Sequence, residues 1–175
     1  MPYPSIVRCP APGFTLLELL VVLVLIGVLA AWGVPSFNAL GERTAITSEI
    51  NRLQSALSLA RSTAITHRAP ITLCPANRDR TACANDWSGE LMLVSADKLR
   101  GIEQSEVVRV FPATAGVSVA KNGHDRIRYT PLGHATGFNS TFSICPARHQ
   151  ADAQGASLVL STLGRARVEE AQSGC

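Results

Sequence analysis

One long apolar segment near the N-terminus constrains this chain more than any other feature. Between residues 14 and 34 the sequence reads FTLLELLVVLVLIGVLAAWGV, and only Thr15 and Glu18 interrupt it. A helix needs about 20 apolar residues to cross the hydrocarbon core of a bilayer. Cleaved secretory signals have apolar cores of only about 7–15 residues, and their small residue follows the core, whereas Gly13 precedes this one. We therefore predict a transmembrane helix over residues 14–34.

The helix is predicted to continue with a different character. Residues 35–67 carry apolar side chains at three- and four-residue steps, which is typical of an amphipathic helix lying on a sheet. These apolar positions are Leu40, Ile46, Ile50, Leu53, Leu57 and Ala60. The charged residues are assigned to the other faces of the helix: Glu42, Arg43, Glu49, Arg52 and Arg61.

After His67 the sequence changes to short β-prone runs. Turn residues separate these runs, which favours an antiparallel sheet. The predicted strands cover residues 71–74, 90–95, 107–111, 117–120, 126–130, 141–145 and 157–160. The expected fold class is α+β, a long N-terminal helix packed on a small antiparallel sheet domain. Its parts are a polar leader (1–13), the transmembrane half (14–34), the amphipathic half (35–67) and a β-rich domain (68–175).

The cysteines indicate an exported domain. Cys9 would leave with the leader, and an even number remains in the β-rich part, which suggests disulfides. Four cysteines allow three pairings, and we favour the sequential one, Cys74–Cys83 and Cys145–Cys175. Four buried thiols in a cytosolic protein are the alternative. A zinc site is not predicted, because the sequence has no C-x-x-C spacing.

Nothing in the sequence predicts catalysis. The histidines have no metal-ligand spacing, and neither a G-x-S-x-G motif nor a phosphate loop is present. We therefore predict no enzymatic activity, no catalytic residues, no cofactor and no metal. The formal net charge of +3 does not by itself identify a partner, because weakly basic surfaces are common.

The run Gly13-Phe14-Thr15-Leu16-Leu17-Glu18 resembles the prepilin peptidase motif of type IV pilins and type II secretion pseudopilins. The resemblance implies the type IV pilin fold, cleavage after Gly13 by prepilin peptidase, and N-methylation of Phe14. It also implies a single-pass inner-membrane protein with a periplasmic C-terminal domain, which then enters a pilus or pseudopilus.

A carboxylate near a bilayer is costly and marks a functional-site hypothesis. The resemblance implies that Glu18 pairs with the terminal amine of Phe14 on a neighbouring subunit, so that other pilins are partners of the N-terminal helix. An ordinary membrane anchor with a stray glutamate is the alternative.

Residues 160–168, followed by the terminal Cys175, resemble the FimT/GspH group of minor pilins. In the FimT branch, a G-R-x-R motif near the C-terminus is associated with DNA binding during natural transformation. Here Gly164, Arg165, Ala166 and Arg167 occupy it. Glycine permits a tight turn, and arginines two apart in an extended stretch project to the same side. Guanidinium groups bind phosphate oxygens without reading sequence.

A solvated turn with two surface arginines is the alternative interpretation of the motif. Further candidates for a basic surface are Lys121, Arg126, Arg128 and Arg148. The leading hypothesis is a FimT-like minor pilin that is incorporated in the pilus and binds double-stranded DNA through phosphates. The alternative is a GspH-like tip pseudopilin of type II secretion, or a tip minor pilin that primes assembly without DNA. For a third class, a membrane-anchored enzyme, the sequence contains no supporting feature.

Overall fold

The computed structural model describes residues 13–95, 100–147, 155–170 and 175. For residues 32–39 and Glu170 it describes the backbone and not the side chains. The predicted leader therefore lies outside the described residues, except for Gly13. The chain divides into two compact units, Met1–Leu40 and Gly41–Cys175, and each is described by itself.

The first unit contains the beginning of the long helix α1 (Leu16–His67). The Thr15 hydroxyl accepts a hydrogen bond from the Glu18 backbone N–H at 3.2 Å, which satisfies one of the free donors at a helix N-terminus. Large apolar side chains from Phe14 to Leu29 are 44–85% exposed. Their surface therefore has no cover from the residues of this unit that the structure describes.

In the described part of the chain, no helical stretch combines the length and the apolar character needed to cross a membrane.

The second unit combines the remainder of α1 with two antiparallel sheets. Among the described residues, the first sheet has the order β3-β2-β1-β5 and the second the order β4-β6-β7-β8. The strands are β1 (Ile71–Pro75), β2 (Leu91–Val94), β3 (Val107–Phe111), β4 (Val117–Lys121), β5 (Ile127–Tyr129), β6 (Ser140–Pro146), β7 (Ala156–Leu160) and β8 (Ala166–Glu170). The predicted strands correspond to β1–β7, each end agreeing to within about one residue. Strand β8 was not predicted.

One apolar core joins α1 to both sheets. Its members include Leu53, Leu57 and Ala60 from the helix, Leu73, Leu91 and Ile127 from the first sheet, and Phe142, Ile144 and Leu158 from the second. A smaller cluster of Cys74, Met92, Val94 and Ile102 lies on the other face of the first sheet, because successive strand residues point to opposite faces. Strands β1 and β2 of the first sheet are therefore buried on both faces.

Two charged residues of α1 lie in the packed interface, where the sequence analysis had placed apolar side chains only. Glu49 is fully buried and the Arg52 side chain is 8% exposed. Arg52 donates two hydrogen bonds to Glu49, at 2.8 and 2.6 Å, and others to the backbone carbonyls of Trp87, Gly89 and Pro112. The prediction that both residues lie on faces other than the packed one was wrong, because together they attach the helix to the loops beside β2 and β3.

Candidate functional site

The G-R-x-R motif begins in the turn between β7 and β8. The Ser161 N–H donates to the Arg165 carbonyl and the Gly164 N–H to the Ser161 carbonyl, both at 2.9 Å. The Arg165 N–H donates to the Ser161 hydroxyl at 3.2 Å. In the adjoining ladder Leu160 is opposite Ala166. Residues 161–165, called the motif turn below, are therefore held in one conformation by their own hydrogen bonds.

Gly164 is required in the motif turn for two physical reasons. Its φ of +76° is in the left-handed region, where a side chain is strained. A Cβ at this position would also collide with the Gly133 carbonyl oxygen and lie 2.9 Å from the Tyr129 ring. The Ala135 N–H donates to the Thr162 carbonyl at 3.0 Å, so the loop between β5 and β6 supports the turn from outside.

The two arginines of the motif have different surroundings. Arg165 is exposed at the end of the turn, whereas Arg167 lies on β8 opposite Val159. The Arg167 side chain is 74% exposed and pairs with Glu169 at 2.7 Å. An exposed pair of this kind contributes only about 0–1 kcal/mol, so Glu169 holds Arg167 only weakly.

A cleft of about 330 Å³ separates the motif turn from helix α1. From the helix it is lined by Gln54, Leu57, Ser58 and Arg61, and from the turn and β8 by Gly164, Arg165 and Ala166. We call this the Arg61 cleft. The Arg61 Nη1 donates to the Gly164 carbonyl at 3.4 Å. Arg165 and Arg61 both line this cleft, whereas Arg167 does not.

The contact between Arg61 and the motif turn was not predicted from the sequence. Gln54, Ser58 and Arg61 are separated by four and three residues, which places them on one face of a helix. This spacing can be read from the sequence. The hydrogen bond from Arg61 to the Gly164 carbonyl connects residues 103 positions apart, which no local pattern encodes.

Two of the other basic candidates, Lys121 and Arg126, are engaged in packing. The Lys121 Nζ lies 5.3 Å from the Trp87 ring centre and donates to the carbonyls of Asn122 and His124. Burial lowers the pKa of Lys121, against the opposing effect of Asp125. The Arg126 guanidinium lies 5.6 Å from the Phe138 ring. These contacts stabilise the domain and leave less of each side chain free for a ligand.

Arg128 lies on β5 opposite Thr72, and Arg148 lies outside the described residues.

Both favoured disulfides are present. Cys74–Cys83 and Cys145–Cys175 have Cα–Cα distances of 5.6 and 5.5 Å. The second one attaches the C-terminal residue to β6. A Cβ on Gly155 would collide with the Cys175 sulfur and lie 2.6 Å from the Ile144 carbonyl oxygen, so this disulfide packs tightly on the start of β7.

The N-terminal motif is freely accessible within its unit. Phe14 is 85% exposed, and a Cβ on Gly13 would meet no atom within 4 Å. Glu18 lies in the first turn of α1, where the helix dipole favours a negative charge. No carboxylate–cation pair involves Glu18 among the residues that the structure describes. In the same part of the chain, no group of His, Cys, Asp or Glu is arranged to hold a metal.

Two families match the sequence. Residues 49–164, more than half of the chain, match the family described as Type II transport protein GspH. Residues 11–34 match the prokaryotic N-terminal methylation motif, which includes Gly13, Phe14 and Glu18. No curated protein matches the chain.

Solved structures with a similar fold include two crystal forms of the type IV minor pilin FimU from Pseudomonas aeruginosa. The P21 form is 22% identical with a TM-score of 0.56, covering 73% of this chain and 90% of that chain. The P65 form is 23% identical with a TM-score of 0.53, covering 70% and 91%. The minor pseudopilin EpsH from the Type 2 Secretion System of Vibrio cholerae is 17% identical over 72% and 96%, with a TM-score of 0.49.

The predicted type IV pilin fold is confirmed by the likeness to FimU, together with the helix and antiparallel sheets of the second unit. Pilins and pseudopilins are structural subunits and not enzymes, as predicted from the sequence. They assemble with other pilins in a pilus or pseudopilus. The chain belongs to the GspH family and is a minor pilin or pseudopilin.

Proposed function

We propose that this protein is a FimT-like minor pilin of a type IV pilus that binds extracellular DNA without sequence preference during natural transformation. The observation that carries the proposal is an exposed Arg165 on a turn fixed by Gly164, with Arg167 close by on β8. A fixed turn reduces the entropy lost on binding. Two guanidinium groups can grip phosphate oxygens bidentately.

The first unit supports the assembly part of the proposal. Its apolar side chains, exposed between Phe14 and Leu29, form a surface larger than a soluble monomer normally shows. Lipid or neighbouring pilin helices would cover it. Prepilin peptidase would cleave between Gly13 and Phe14, and Glu18 would pair with the methylated amine of Phe14 on the next subunit. Insertion of residues 14–34 into the inner membrane, with the C-terminal domain in the periplasm, stays a prediction from the sequence.

The charges around the motif determine how the affinity for DNA should depend on salt and on Glu169. Phosphate contacts release counterions, so the affinity for DNA falls steeply with salt. Glu169 pairs with Arg167 and lowers the positive potential of β8. Neutralising this carboxylate, as in Glu169→Gln, is therefore expected to increase DNA affinity by a few-fold.

The test is binding of the full chain, in an uncharged detergent, to a duplex of random sequence. Arg165→Ala/Arg167→Ala should weaken binding at least about tenfold, because hydrogen bonds to charged groups are each worth about 1.5–3 kcal/mol. The control Arg43→Ala/Arg109→Ala removes two exposed arginines elsewhere in the chain. Equal affinities for wild type and the motif variant, or binding that salt does not weaken, would remove the motif from DNA recognition.

The alternative function is that of a GspH-like tip pseudopilin of type II secretion, or of a tip minor pilin that primes assembly without DNA. The match to a family described as a type II transport protein favours it. Deletion of the gene separates the alternatives. Loss of protein secretion with normal transformation would favour the pseudopilin, and loss of transformation with normal secretion would favour the DNA-binding pilin.

A further inference from the structure

The Arg61 cleft has the composition of an anion site. Two guanidinium groups line it, from Arg61 on α1 and Arg165 on the motif turn, together with the Ser58 hydroxyl and the Gln54 amide. Hydroxyl and amide groups supply neutral hydrogen-bond donors beside the two cations. The remaining lining residues are Leu57, Gly164 and Ala166, so no acidic side chain of the described residues lines the cleft.

Both arginines keep donors available for a ligand. Among the described residues, neither Arg61 nor Arg165 pairs with a carboxylate. Arg61 uses one N–H on the Gly164 carbonyl, and a guanidinium has five. This differs from Arg52, Arg80 and Arg167, each of which pairs with a glutamate. The cleft therefore holds two positive charges that the described part of the domain does not neutralise.

The size and construction of the cleft suit a phosphate group. Its volume of about 330 Å³ is many times the roughly 10–15 Å³ that a cavity needs to hold one water, so a phosphate group can enter. One wall is a helix packed on the core and the other is a turn fixed by Gly164, so the backbones that carry the two arginines are in place before a ligand arrives. Such preorganisation reduces the cost of binding.

We propose that the Arg61 cleft binds one phosphate group between Arg61 and Arg165, with Ser58 as a neutral donor, and that this phosphate belongs to the DNA backbone. The proposal rests on the proposed DNA-binding function and extends it. Arg61 and Ser58, on the helix and outside the G-R-x-R motif, become part of the DNA contact. Arg167 then binds a different phosphate from Arg165.

Arg61→Gln in the full chain tests the proposal, with Arg43→Gln as its matched control. Arg43 is 18 residues earlier on α1, which is about five turns and 27 Å along the same helix face. Arg61→Gln should lower DNA affinity about five- to tenfold and reduce the slope of log K against log salt by about 0.9. Arg61→Lys should keep most of the slope, and Arg43→Gln should leave affinity and slope close to wild type.

A titration with inorganic phosphate separates the two sources of the anion. Phosphate should shift the backbone amide resonances of Arg165 and Ala166 in the wild-type chain, and Arg61→Gln should abolish the shifts while the unfolding transition is retained. Ser58→Ala should weaken them without changing the net charge.

The outcomes distinguish the two proposals. If DNA binds through the motif while Arg61→Gln behaves like Arg43→Gln, the cleft proposal is wrong and the DNA-binding function stands. If phosphate shifts these amides but DNA does not bind, the DNA function is wrong and the cleft is a site for free anions. If phosphate causes no shifts in the wild type, the cleft proposal is wrong whether or not DNA binds.

Discussion

The leucines of α1 are exposed in one part of the helix and buried in another. Leu17, Leu23 and Leu29 in the first unit are 73%, 57% and 71% exposed, whereas Leu53 and Leu57 in the second unit are 0% and 2% exposed. The difference lies in what surrounds the helix. The second unit supplies two sheets that complete the core, and the described residues of the first unit supply nothing comparable. The second unit therefore has a packed core of its own, whereas the described apolar side chains at the beginning of the helix are exposed.

The carboxylates of α1 give the largest test of this comparison. Glu49→Ala should destabilise the second unit by about 3–5 kcal/mol, because it leaves the buried Arg52 charge without its partner. Glu18→Ala should leave the unfolding free energy of the domain unchanged, since Glu18 is exposed in the first unit. Denaturant unfolding of the full chain in detergent measures both.

The same pair of variants separates stability from assembly. Glu18→Ala should abolish incorporation into the fibre, whereas Glu49→Ala should reduce incorporation only as far as it unfolds the domain. A loss below about 1 kcal/mol in Glu49→Ala would mean that Arg52 is not buried as described and that the helix is held by apolar contacts alone.

A leucine pair tests the comparison with identical chemistry. Leu53→Ala should cost about 2–5 kcal/mol, the range for a leucine deleted from a packed core, because Leu53 is fully buried. Leu23→Ala should change the unfolding free energy by less than about 0.5 kcal/mol, as is usual for exposed positions. Equal effects from the two variants would contradict the division of α1 into an exposed part and a packed part.

The strands and the disulfides were predictable because their signals are local. Short β-prone runs between turn residues identified β1 to β7, and the sequential pairing agrees with Cys74–Cys83 and Cys145–Cys175. The arrangement of the strands in two sheets was not predicted, because sequence periodicity does not specify which strands are neighbours. The burial of Glu49 was missed for a related reason, since its partners Arg52 and the loops beside β2 and β3 are known only from the fold.

Strand β8 and the Arg61 cleft were missed for different reasons. The β8 sequence ARVEE contains few β-branched or aromatic residues, so propensity does not indicate a strand. Its pairing with β7 provides the stabilisation instead. The cleft depends on Arg61 and Gly164 meeting across 103 residues. The sequence therefore predicted the motif and its tight turn, and only the structure relates that turn to the helix.

Three glycines sharpen the comparison at the level of single atoms. Gly164→Ala should destabilise the domain by about 2–3 kcal/mol, because the left-handed φ costs about 1–2 kcal/mol and the new Cβ would collide with Gly133 and Tyr129. Gly137→Ala is the control for φ alone, since Gly137 has a φ of +79° and a Cβ added to it would meet no atom within 4 Å. Gly137→Ala should therefore cost only about 1–2 kcal/mol, the part that the left-handed φ imposes.

Gly27→Ala extends this series to the first unit. Gly27 lies in α1 with no atom within 4 Å of an added Cβ, and alanine stabilises a helix by about 1 kcal/mol relative to glycine. The unfolding free energy of the domain should therefore not fall. If Gly164→Ala and Gly137→Ala cost the same, the contact with Tyr129 does not fix the motif turn.

The smallest expected effect tests whether the interior of the domain is complete. Tyr129 is fully buried, and among the described residues its hydroxyl has no hydrogen-bond partner. A buried hydroxyl without a partner is destabilising, so Tyr129→Phe should stabilise the domain, by up to about 1 kcal/mol at neutral pH. A loss of stability of that size would show instead that the hydroxyl is bonded and that the domain depends on a further contact.

The pH dependence of the same variant gives a second measurement with a definite sign. Burial raises the pKa of Tyr129, against the opposing effect of the Arg61 charge. In the unfolded chain a tyrosine ionises near pH 10, so above that pH the unfolded state has released its proton while the folded state retains it. Wild-type stability should therefore decrease as the pH rises beyond about 10. Because Tyr129→Phe lacks this proton, its advantage over wild type should increase with pH. A constant difference between pH 8 and 11 would show that Tyr129 ionises in the folded domain as it does in water, and hence that this part of the core is open to solvent.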